Sequence, residues 1–117
     1  MSALFVCYPK CTTCQKARKW LEGKGIAHTV RDIKTENPTR AELELWYRAS
    51  GLPLKKFFNT SGNLYKELAL KDRLPGMTEE EMLDLLATDG MLVKRPIYVK
   101  EGTVLVGFKE TEWAEKA

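Results

Sequence analysis

The stretch Ala3-Leu4-Phe5-Val6-Cys7-Tyr8-Pro9-Lys10-Cys11-Thr12-Thr13-Cys14 decides how the rest of the chain is read. Its first six residues form a continuous apolar run of the kind that makes a short buried parallel strand. Pro9 ends the run. From Thr12 the pattern turns helical: Cys14, Ala17 and Leu21 share one stripe with Trp20 beside it, while Lys16, Arg18, Lys19 and Glu22 fill the other face. Gly23 and Gly25 stop this helix. His28-Thr29-Val30-Arg31-Asp32-Ile33 alternates weakly and predicts a second strand. The first segment is thus a β-α-β unit, with a Cys-x-x-Cys pair at its first strand-to-helix turn.

Downstream, Thr39-x-x-Glu42 is a capping box opening a helix that carries Leu43, Trp46 and Tyr47 and ends at Gly51. The stretch from Leu52 to Leu74 is helical but irregular, broken at Asn59-Thr60-Ser61-Gly62. Thr78-x-x-Glu81 is a second capping box, for a helix bearing Met82, Leu83, Leu85 and Leu86 and closed by Asp89-Gly90. Ile97-Tyr98-Val99 and Val104-Leu105-Val106 flank the turn Lys100-Glu101-Gly102-Thr103 as a hairpin, and a last short helix starts near Thr111. The expected fold class is α/β, a thioredoxin-like mixed sheet of about four strands. One domain over residues 1–117 carries a helical insertion at about 39–90, after the β-α-β unit.

A chain of 117 residues can bury a core without staples. Its 44% hydrophobic and 30% charged residues are those of an ordinary globule, and the net charge of +3 comes from interspersed signs. That pattern leaves no footprint for nucleic acid or a membrane surface, and no apolar run approaches the roughly 18 residues a span needs. Met1 to Val6 shows no export signal, so a cytoplasmic, reducing compartment is expected. All three cysteines fall between Cys7 and Cys14, which is no disulfide framework.

In that setting the Cys-x-x-Cys could cycle between thiol and disulfide, bind metal or simply pack. Redox chemistry is favoured by position. Cys11 at a helix N-terminus meets unpaired amides and the positive end of the helix dipole, with Lys10 adjacent, and all of these favour a nucleophilic thiolate. Cys14 follows one turn later on the same face, within the Cα separation of roughly 5–6 Å that a disulfide takes. The outer cysteine then attacks and the inner one resolves. Zinc on Cys7, Cys11 and Cys14 lacks a fourth ligand, because the one histidine, His28, stands at a loop-strand junction. Cys7 reads as a core cysteine and His28 as a solvated loop residue.

Lys94-Arg95-Pro96-Ile97 is the second informative segment. X-Pro bonds are where cis peptides occur, and proline is tolerated as a strand begins. In thioredoxin-like folds a cis-proline faces the active cysteine, which would deliver Arg95 beside Cys11 to stabilise a thiolate or grip an oxyanion. The alternative for Arg95 is a surface cation near a helix end. Asn59 either offers hydrogen bonds to a substrate or belongs to a turn and helix cap. Cys11, Cys14 and Arg95 are thus the candidate catalytic residues, and Thr12, Thr13, Asn59 and Pro96 the candidate substrate-binding ones. Trp46, Tyr47, Phe57 and Phe58 read as core aromatics.

Tyr8-Pro9-Lys10-Cys11-Thr12-Thr13-Cys14-x-Lys16-Ala17, Tyr65-Lys66-Glu67-Leu68, Leu92-Val93-Lys94-Arg95-Pro96-Ile97 and Val106-Gly107-Phe108 resemble the glutaredoxin-dependent arsenate reductase (ArsC)/Spx superfamily, over about residues 4–112. The resemblance implies a thioredoxin-like domain with a helical insertion. Its arsenate reductases use one cysteine and several arginines around the oxyanion. Cys11 matches the nucleophile and Arg95 one arginine. Asn59 and Gly107 fall near the positions of two others, and Cys14 stands where those enzymes usually have a different residue. The Spx-type regulators carry such a Cys-x-x-Cys and share Arg-Pro-Ile, which implies as an alternative a redox sensor that contacts RNA polymerase. A third branch of thiol-dependent reductases fits best. The expectation is a thiol-disulfide oxidoreductase with glutathione, glutaredoxin or thioredoxin as external reductant and no metal or organic cofactor.

Overall fold

The structure, a computed structural model, describes residues 3–117. Strand β1 (Ala3–Cys7) lies inside a four-stranded sheet of order β2-β1-β3-β4. It pairs parallel with β2 (His28–Asp32) and antiparallel with β3 (Ile97–Lys100), which pairs in turn with β4 (Thr103–Val106). The sheet is mixed and thioredoxin-like, as the order of elements predicts. Helix α1 (Thr12–Gly23) makes the parallel crossover, and α6 (Glu110–Lys116) follows β4.

The alternation of side chains along a strand divides the core in two. Ala3, Phe5 and Cys7 of β1, with Tyr98 and Leu105, pack against Cys14, Ala17 and Leu21 of α1 and Trp113 of α6. Val6, Ile97 and Val104 face the other side, where the segment between β2 and β3 packs. That segment holds α2 (Arg40–Ser50), α3 (Asn63–Glu67), α4 (Leu70–Arg73) and α5 (Glu79–Leu86), joined by short 3-10 turns. Both capping boxes form: the Thr39 and Thr78 hydroxyls accept from the Glu42 and Glu81 amides, and each glutamate accepts from its threonine's amide. Arg31 of β2 donates to both carboxylate oxygens of Glu42, at 2.7 and 2.9 Å, tying α2 to the sheet edge.

Three expectations need correction. Gly90 does not close α5, which ends at Leu86, but begins a 3-10 turn pressed on the chain after β2. A Cβ there would lie 1.7 Å from the Ile33 carbonyl oxygen, so the position demands glycine for room. His28 is not a solvated loop residue: it opens β2, half-buried, with its ring edge-on to Phe5 at 5.9 Å. Tyr47 is only half-buried, resting against Phe57 at the margin of a core that encloses Trp46, Phe57 and Phe58. No described helix is long and apolar enough to cross a membrane.

Candidate functional site

The C-terminal end of β1 runs into a tight turn in which the Tyr8 carbonyl accepts from the Cys11 amide at 2.9 Å. The Gln15 side chain braces the turn by donating to the Pro9 carbonyl at 3.0 Å. Cys11 is the N-cap of α1, in extended conformation, and its side chain makes no capping bond. Its carbonyl accepts the first helical bond, from Gln15. The thiol is half-exposed at the mouth of the helix. Cys14 lies one turn inward and is 1% exposed. Its sulfur accepts from the Tyr8 amide at 3.4 Å, within a buried cluster that also holds Cys7 and has Cys11 packed against it. The Cys7 contact, reinforced by burial, pushes the Cys14 thiol well above its ordinary pKa. All three cysteines are free thiols.

The wall opposite Cys11 comes from two distant segments zipped together. Phe58 and Val93 form an isolated antiparallel bridge, the Asn59 amide donates to the Leu92 carbonyl at 2.8 Å, and the Lys94 amide donates to the Phe57 carbonyl at 2.7 Å. This carries Asn59 to the flank of Lys94 and Arg95. The Arg95–Pro96 peptide is cis, and the buried Pro96 accepts from the Gly107 amide at 2.8 Å. Gly107 itself has φ +74°, a left-handed conformation that L side chains rarely adopt.

Between these walls opens a cleft of about 670 Å³ lined by Cys11, Thr13, Asn59, Arg95 and Gly107 among others. Lys94 and Lys109 also line it, and no lining residue is acidic, so three cations face the Cys11 thiol. Leu64, Met91, Val106 and Phe108 add an apolar wall. The Arg95 guanidinium lies over the Tyr8 ring, 5.3 Å from its centroid. Its Nε and Nη1 are closed off from bulk solvent yet have no protein acceptor. Buried donors without acceptors are costly, so Arg95 carries hydrogen-bonding capacity that the protein leaves unused at the edge of the cleft.

Cys11, Arg95, Thr13 and Asn59 are therefore brought together around one space. Cys14 stands behind Cys11 rather than in the cleft, Thr12 is exposed outside the lining, and Pro96 supports the wall from within. The two lysines were not among the candidate residues. Lys94 lies just before β3 and Lys109 just after β4, so both occupy loops at strand ends. A cation on a loop beside a candidate site is the signal that could have found them.

The chain has relatives among known proteins and solved structures. The chain is 52% identical over 115 residues to the uncharacterised protein YusI of Bacillus subtilis, covering 98% of each. It is 32% identical to the regulatory protein MgsR of the same organism, covering 92% of this chain and 84% of that one. An arsenate reductase of Rhizobium meliloti is 33% identical, with 78% of this chain and 64% of the relative covered. Among solved structures, an ArsC family related protein from Bacteroides fragilis superposes with a TM-score of 0.96 at 59% identity, covering 98% and 97% of the two chains. The model of the ArsC family matches residues 7–116, from the last residue of β1 to the end of α6, and the chain belongs to that family.

Proposed function

We propose that the protein is a thiol-disulfide oxidoreductase in which Cys11 attacks, Cys14 resolves and Arg95 steadies the developing negative charge. The observation that carries this reading is a half-exposed Cys11 at the helix start, facing a cationic cleft, with Cys14 buried one turn behind it in the cluster Cys11 packs against. The Cys11 thiolate attacks one sulfur of a substrate disulfide, forming a mixed disulfide and expelling the other sulfur as a thiolate. Cys14 then attacks the Cys11 sulfur. Its proton passes to the departing substrate thiolate, and the Cys11–Cys14 disulfide retains the two-electron oxidation. Glutathione, glutaredoxin or thioredoxin returns those electrons from outside. A Cys14 thiol held in its protonated form by Cys7 and by burial stays quiet until that step.

The test is reduction of a peptide–glutathione mixed disulfide, run beside glutaredoxin-coupled arsenate reduction. Cys11→Ser should abolish disulfide reduction, and arsenate turnover should be weak or absent. A Cys11→Ser variant with full activity, or arsenate as the much better substrate, overturns the proposal.

A second reading is a redox-sensing regulator that binds RNA polymerase, favoured by similarity to MgsR over most of both chains. Polymerase capture that depends on oxidation, without turnover of any disulfide, would support it.

A further inference from the structure

We infer that Cys7 is a third redox residue of this site, exchanging with Cys11 for the sulfur of Cys14 and moving the disulfide into the core. The inference rests on the disulfide chemistry proposed above. Alternation along β1 turns Ala3, Phe5 and Cys7 toward α1, and the helical stripe turns Cys14 toward β1. The two thiols lie in one buried cluster between β1 and α1, Cys7 3% and Cys14 1% exposed. Cys11 packs against the same cluster, so the site gathers one thiol that faces the cleft and two that are sealed in the core. A packing cysteine needs no such partner. Among the described residues no three or more His, Cys, Asp or Glu side chains are arranged to hold a metal.

In the exchange, the Cys7 thiolate attacks Cys14 Sγ of the Cys11–Cys14 disulfide. The Cys7–Cys14 bond forms, the Cys11–Cys14 bond breaks, and the departing Cys11 sulfur takes up the proton that Cys7 lost. No electrons are gained or lost overall. Cys11 thereby becomes a free nucleophile again, while the oxidation is held where solvent reductants do not reach. The oxidised protein could then engage a second disulfide before it is itself reduced.

The sequence makes the two disulfides separable. Trypsin cleavage after Lys10 and Lys16 leaves Cys7 on one peptide and Cys11 with Cys14 on the next. The protein is oxidised with oxidised glutathione or diamide, alkylated with N-ethylmaleimide under denaturing conditions at mildly acidic pH, digested and analysed by mass spectrometry. The expected species links peptide 1–10 to peptide 11–16 through Cys14, with Cys11 alkylated. It should vanish in Cys7→Ala. In Cys11→Ser the same two peptides should still become linked, a readout independent of Cys11. If the oxidised protein shows only the internal Cys11–Cys14 bond, with Cys7 alkylated, this inference is overturned and the proposed activity stands. If all three cysteines are alkylated after oxidation, both fall.

Discussion

Replacing Arg95 by methionine separates binding from folding, because its guanidinium has buried donors that no protein acceptor uses. Nε and Nη1 are closed off from solvent with no protein acceptor, and their surroundings offer one favourable contact, the Tyr8 ring at 5.3 Å. Methionine keeps much of the apolar stem and deletes the donors. Relieving buried unpaired donors returns about 1–3 kcal/mol, and losing the cation–π contact costs about 0.5–2 kcal/mol. The fold should therefore be as stable as before, or more so by about 1 kcal/mol, being the difference of those two terms. Activity should move the other way. Charge-assisted bonds from the fork to a carboxylate or a leaving thiolate are worth about 2–4 kcal/mol together, or on the order of 30- to 1,000-fold in kcat/KM. The assay is turnover of a peptide–glutathione mixed disulfide, with urea unfolding on the same samples. The uncharged hydroxyethyl disulfide should lose less than the glutathione substrate, and Arg95→Lys, which keeps the charge without the fork, should fall between. A variant that unfolds more easily by over about 1 kcal/mol, with activity falling only as the folded fraction does, refutes the reasoning and makes Arg95 a structural cation.

Cys14→Ser should leave Cys11 able to attack but unable to be released by its neighbour, so a stable Cys11–glutathione adduct should accumulate in intact-mass spectra. Gly90→Ala forces a Cβ into the Ile33 carbonyl, and should lower stability by about 3 kcal/mol or more in urea, or prevent folding. Glu42→Gln should change the pH profile of stability. The Arg31 guanidinium holds the Glu42 carboxyl below its ordinary value of 4.5, so its stabilisation is complete above that pH and lost as pH falls through the lowered folded-state value. The variant should be weaker at pH 7 by about 0.5–1 kcal/mol, given a half-exposed pair, and flatter in urea midpoint between pH 5 and pH 3.

What the sequence made legible is what local chemistry controls. Two capping boxes, the Cys-x-x-Cys turn and the hairpin around Glu101-Gly102 each depend on residues within a few positions of one another, and each is present. The opposite wall of the cleft was harder to see. It exists because Phe58 bridges Val93, a pairing between residues far apart whose own surroundings carry no strand signal. Gly90 misled for a related reason: beside Asp89 it looks like a helix stop, whereas its role is set by Ile33 on another element. Cys7 was hidden by the uniformity of its strand. A run that is apolar at every position conceals the two-residue period, and only with helices on both faces is it plain that Cys7 faces α1 while Val6 faces away.

The character of the cleft bears on which chemistry the ArsC scaffold performs here. A tetrahedral oxyanion held on its own needs donors converging from several sides, and forked guanidinium groups supply them best. This cleft has one fork, Arg95, and two point charges on flexible stems, Lys94 and Lys109. At Gly107 the backbone is left-handed and leads directly from β4 into the loop carrying Lys109, so a side chain there would be strained as well as crowded against Lys94. The position therefore disfavours another cation. The rest of the wall, Leu64, Met91, Val106 and Phe108, offers apolar surface that a small oxyanion would not use. A thiol with a peptide-like body and carboxylate ends would use both parts: apolar contact along the wall, and the cations for its carboxylates and for the sulfur that leaves. On the proposed reading the cleft would disfavour the smaller substrate, and Cys14 behind Cys11 would resolve the mixed disulfide that the larger one forms.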